Sequence, residues 1–78
     1  MKNSNQTREE LDVFCQNVKI LREGHGLSEK EMAKILGIGV PSLKKIEQGI
    51  IPPRASTNIV LKLSHKFNIL PHKLFIPL

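Results

Sequence analysis

The sequence has no tryptophan, no tyrosine, a single cysteine and, beyond Glu47, no acidic residue at all. Nor does it hold an apolar run approaching the ~18 residues of a membrane span. The polar start from Met1 to Arg8 does not have the basic-then-apolar layout of a signal peptide. The expected location is therefore the cytoplasm, with no membrane partner. One cysteine leaves neither a disulfide framework nor a Cys-based metal site. Cys15 falls helically in phase with Leu11, Phe14 and Val18, which reads as a small buried hydrophobe. With three phenylalanines as the only aromatics, aliphatic residues must build the core. A chain of 78 residues makes one small domain, and at that size only roughly 60% of the unfolded surface is buried.

What is present is basic and unevenly placed. Net charge is +5. Six of the seven acidic residues lie at or before Glu31, whereas Arg54, Lys62, Lys66 and Lys73 follow Glu47 with no acid among them. A basic half favours a polyanionic partner or an anionic surface.

The centre of the chain carries the strongest pattern. Met32, Ala33, Ile35 and Leu36 share one face of a short helix at helical spacing. Gly37 stands where a helix end wants a left-handed residue. Leu43 and Ile46 give a second short helix its inward stripe, and Gly49 marks its end. Ala33 is small where a larger side chain would push the two helices apart. Taken together, Met32, Ala33, Leu36, Gly37, Ile38, Leu43 and Ile46 have the spacing of a helix-turn-helix.

In chain order, residues 1–7 are polar and expected to be a mobile segment, and residues 8–78 form the single domain. Thr7 and Glu10 have capping-box spacing, with Glu9, Glu10 and Asp12 suited to the positive end of a helix dipole. Leu11, Phe14, Val18 and Leu21 then step through a first helix from about residue 8 to Glu23, stopped by Gly24-His25-Gly26. Ser28 and Glu31 repeat the capping box and open the second helix. The third begins near Val40, with Gly39 a weak cap and Pro41 fitting the first turn. Gly49 to Arg54 is a loop, since Pro52 and Pro53 forbid helix. A fourth helix takes Ser56 or Thr57 as its cap and buries Ile59, Val60, Leu63 and Phe67. Asn68 suits a left-handed end, and Pro71 starts a last turn with Leu74 and Phe75 inward. No strand-like alternation appears, so the fold class is all-α.

Residues 18–49 resemble the phage lambda-repressor and Cro-like helix-turn-helix family (XRE-type transcriptional regulators), more loosely as far as Phe75. The residues that carry the likeness are Leu21-Arg22, Gly26-Leu27-Ser28, Met32-Ala33, Leu36-Gly37-Ile38 and Ile46-Glu47-Gln48-Gly49. The resemblance implies a five-helix domain whose third helix, about residues 40–48, enters the DNA major groove. It implies an ion pair between Arg22 and Glu47, a structural lock between the first and third helices. It also implies that Val40, Pro41, Lys44 and Lys45 face the DNA, with Ser42 and Gln48 near phosphates, Arg54 the basic residue left for the backbone, Ser28 among the DNA-binding residues and Glu29 at a position where relatives often carry glutamine. Two departures stand out. Val40 and Pro41 cannot hydrogen-bond a base edge through their side chains and can offer only apolar contact to a thymine methyl. Glu29 would repel phosphate unless paired.

No catalytic constellation is present, and His25, His65 and His72 lack the spacing of a zinc site. The expectation is a non-enzymatic regulator, most simply a repressor, that needs no cofactor. Its partner would be double-stranded DNA, bound as a homodimer through Leu70, Leu74, Phe75, Ile76 and Leu78. The alternative is a protein-interaction module or antitoxin-like partner from the same operon, in which Val40, Pro41, Ile50 and Ile51 would form an apolar surface.

Overall fold

The computed structural model describes residues 8–51 and 56–78. The expectations for residues 1–7, for a Thr7 cap, for Pro52 and Pro53 and for Arg54 lie outside the described residues. Four α-helices follow one another: α1 (Arg8–Gly24), α2 (Glu29–Leu36), α3 (Val40–Glu47) and α4 (Ser56–Phe67). A 3-10 turn over Pro71–Phe75 closes the chain. The expected fifth helix is therefore a single tight turn, and no strand occurs among the described residues. Pro71 sets the entry to this turn but no polar side chain caps it, and five residues are too few to nucleate an isolated α-helix in water.

Each helix exists because its apolar residues recur on one face. From α1, Phe14, Cys15, Val18 and Leu21 are buried; from α2, Met32, Ala33 and Leu36; from α3, Leu43 and Ile46. Ile59 and Leu63 of α4 and Leu74 of the 3-10 turn complete the cluster, while Val60, Phe67 and Phe75 pack at its edge. Phe14 and Phe75 stack with ring centroids 5.1 Å apart, so the aromatic contribution joins the first and last elements. Burial pushes the Cys15 thiol above its ordinary range, helped by the nearby Asp12 carboxylate. That thiol is a packing group, as its phase with Phe14 and Val18 predicted.

The helix ends share one device. Leu27 N–H donates to Arg22, Ile38 to Ala33, Ile50 to Lys45 and Ile69 to Ser64, each a bond that spans five residues back. Such a bond closes a helix around a left-handed residue. Three of the four are glycines, and Asn68 (φ 55°) serves at the end of α4. Because the first helix runs through Gly24, its left-handed residue is Gly26 rather than Gly24. Ser56 and Thr57 are the first two residues of α4, and the cap position before them lies outside the described residues.

Candidate nucleic-acid interface

The helix-turn-helix is built from α2, the turn Gly37–Gly39, and α3. At the start of α2, Ser28 Oγ accepts from the Glu31 N–H at 3.0 Å, and Glu31 Oε1 accepts from the Ser28 N–H at 2.8 Å. This capping box satisfies two of the helix's orphan donors. It also holds the Glu31 carboxyl below the usual carboxylate range, chiefly through the hydrogen bond from the Ser28 backbone. At the other end Gly37 adopts φ 71°, ψ 31°. Lys62 of α4 reaches over this turn and donates to the Leu36 carbonyl at 3.3 Å. A Cβ at position 37 would stand 2.5 Å from Lys62 Nζ. Position 37 thus favours glycine for its dihedral, while any larger residue would also have to push the lysine end aside.

Gly39 offers no side-chain cap to α3, and Pro41 sits in the first turn where a missing N–H costs nothing. With Leu43 and Ile46 turned inward, the outward stripe of α3 is Pro41, Lys44, Lys45 and Gln48, all exposed. Lys30 and Lys34 are exposed on α2. Ser42 is half-buried, and Val40 is packed against the core, which leaves only part of its side chain for any contact outside the domain.

The frame that holds α3 in place is ionic. Arg22 Nε donates to Glu47 Oε2 at 2.8 Å and Nη2 donates to Glu47 Oε1 at 3.2 Å, a two-pronged fork. The same guanidinium donates through Nη1 to the Leu27 carbonyl at 3.3 Å, and Glu23 lies 3.7 Å away. Side-chain exposure is 14% for Arg22 and 8% for Glu47. The Glu47 hydrogen bond outweighs burial and raises the Arg22 pKa above its ordinary value, with Glu23 and Glu29 adding to the effect.

The remaining sequence-predicted residues divide. Ser28 is exposed but its oxygen serves the cap, leaving its hydroxyl proton free to donate. Leu74 is 0% exposed and lies in the domain's own core, which removes it from any contact with a partner. Phe75 is spent largely on Phe14. Leu70, Ile76 and Leu78 are exposed at 58%, 53% and 52%. Two residues went unnoticed by sequence reasoning. Lys62 was counted only as a charge, and Asn17 is 1% exposed in the middle of the apolar face of α1. The signal for Asn17 was there: it stands three residues after Phe14 and four before Leu21.

With this geometry in place, comparison with known families is direct. The profile of the helix-turn-helix family matches residues 18–74. The chain belongs to the lambda-repressor-like helix-turn-helix family. That family consists of DNA-binding regulatory domains, typically without catalysis. Neither the curated proteins nor the solved structures give a match. Among the described residues no helix is long and apolar enough to cross a membrane. Among the same residues no three His, Cys, Asp or Glu side chains cluster to hold a metal ion.

Proposed function

We propose that this helix-turn-helix domain is a transcriptional repressor that lays α3 in the major groove. The supporting observation is the outward stripe of α3, in which Pro41, Lys44, Lys45 and Gln48 are exposed on one face while the bidentate Arg22–Glu47 pair fixes the helix from behind. Lys30 and Lys34 on α2 supply phosphate contacts, which carry most nonspecific affinity. Lys45 donates to guanine O6 and N7. Val40, already packed against the core, adds at most a methyl contact. One good contact of this kind discriminates by about 1–3 kcal/mol, so specificity is modest and depends on two half-sites.

The second half-site comes from a homodimer built on Leu70, Ile76 and Leu78, the exposed apolar residues around the 3-10 turn. A two-fold pair would place the two α3 helices about 34 Å apart, one turn of DNA, and so require a palindromic site. Fluorescence anisotropy against DNA upstream of the protein's own gene, with scrambled DNA as competitor, tests the reading. Preference for the upstream DNA supports it. A second reading has its own support: Ile50 is 55% exposed directly after α3, beside half-buried Ile51, which suits a protein-interaction module. Equal affinity for the two DNAs favours that module.

A further inference from the structure

The last residues of the chain are tied to α1 by more than apolar contact. Asn17 Nδ2 donates to the Leu74 carbonyl at 2.7 Å and to the Ile76 carbonyl at 2.9 Å. One buried amide thus bridges α1 to a strap 57 and 59 residues further along. A leucine of the same branched shape would occupy this position without desolvating an amide. The Asn17 Oδ1 atom is buried with no partner among the described residues, and leaving a buried acceptor unpaired opposes stability. Apolar packing by Leu74 and the Phe14–Phe75 stack already hold the strap against α1. What the amide adds is direction. By gripping two carbonyls two residues apart it sets the planes of the peptide units on either side of Phe75–Ile76. Those planes decide which way the Ile76 side chain and the following Pro77-Leu78 leave the domain.

We propose that Asn17 is a positioning residue for self-association: its amide holds the strap in the register that turns Ile76 and Leu78 outward, as the surface a second copy of this chain meets. The occupant is a second copy because the exposed residues Leu70, Ile76 and Leu78 flank a turn that carries Lys73, while α1, against which that turn packs, opens with the exposed acid Glu9 and with Asp12, which lies 3.8 Å from Arg8. A two-fold arrangement can set each strap across the other's α1 start with opposite charges facing. The inference rests on the homodimer reading above and adds to it the residue on which that surface depends.

The test uses the full chain with Asn17→Asp and Asn17→Leu, followed by amide hydrogen exchange and sedimentation. At neutral pH the aspartate has no N–H to donate and faces two carbonyl oxygens. The expected result is faster exchange at the Lys73 and Ile76 amides, whose bonds to Leu70 and Lys73 define the turn, with protection in α2 and α3 unchanged. The dimer dissociation constant should rise by roughly tenfold or more in the same variant. Acidifying to protonate the carboxyl restores one donor and should recover part of the dimer while exchange in α2 and α3 stays unchanged; a merely destabilising substitution would move all the helices together. Asn17→Leu keeps the branched shape and removes both donors, so it decides the matter should the aspartate variant fail to fold. A parent dimer indifferent to both substitutions overturns the proposal alone. A parent that never self-associates overturns the homodimer reading and this proposal with it.

Discussion

The Arg22–Glu47 fork is the residue-level feature on which the position of α3 depends, and its two halves are not equivalent. Removing one partner of a buried pair costs about 3–5 kcal/mol, because the other charge is left without compensation. Glu47 is 8% exposed and its only ion-pair partner among the described residues is Arg22, whereas Arg22 also has Glu23 at 3.7 Å and the Leu27 carbonyl. Arg22→Ala should therefore lower stability by about 3 kcal/mol and Glu47→Ala by less, with the double variant closer to the worse single than to their sum. Thermal melts of the three decide this; strictly additive losses under about 1 kcal/mol would mean a surface pair. At Gly37 the left-handed dihedral alone makes Gly37→Ala cost about 1–2 kcal/mol. The added Cβ also displaces Lys62 from the Leu36 carbonyl. The far end of a lysine moves easily, so the double variant with Lys62→Ala should lose less than the sum of the singles, and chemical denaturation of the set measures it. Glu31 supplies a pH dependence. Its folded pKa is depressed, so its contribution is present above the ordinary glutamate value near 4.3 and is lost as pH falls through the lowered folded value. The gap in melting temperature between the parent and Glu31→Ala should accordingly hold at neutral pH and close in that acidic window.

At the scale of elements, what could be read in the sequence is what local physics decides. The capping box at Ser28 and Glu31, the left-handed Gly37 and Asn68, Pro41 in the first turn of α3 and the stripe from Phe14 to Leu21 all depend on neighbours within four residues. Spacing alone therefore finds them. The features that escaped are long-range. Lys62 reaches back 26 residues to the end of α2, and Asn17 reaches forward to the strap. No periodicity encodes where a flexible lysine or a buried amide will find its partner. The shortened fifth element belongs to the same class: Leu74 and Phe75 face inward as their spacing predicts, but whether the backbone between them coils as α or 3-10 is settled by how α1 receives it. Of the candidate interface, the positions of α3 came from the family resemblance, and of these Pro41, Lys44, Lys45 and Gln48 are exposed. The half-burial of Val40 did not follow from that resemblance, because that residue lies at the helix start where contact with the rest of the core decides exposure.

At the scale of the whole molecule, the basic surface and the single outward stripe predict how binding responds to salt and to substitution. Each lysine that neutralises a phosphate steepens the salt dependence of affinity by close to one unit in the log–log slope. Lys34→Ala should lower that slope by about one and weaken all DNAs evenly. Lys45→Ala should instead reduce the preference for the specific site, since it removes a base contact worth about 1–3 kcal/mol in each half-site. The measurement that bears most directly on DNA reading by α3 is a competition titration of the parent and Lys45→Ala against operator and scrambled duplexes over a range of salt. The account predicts that the parent prefers the operator by roughly 2–6 kcal/mol, two half-sites at one contact each, and that Lys45→Ala loses most of that preference while keeping its scrambled-DNA affinity. Equal affinity of the parent for both duplexes, or an equal loss on both in Lys45→Ala, would contradict it.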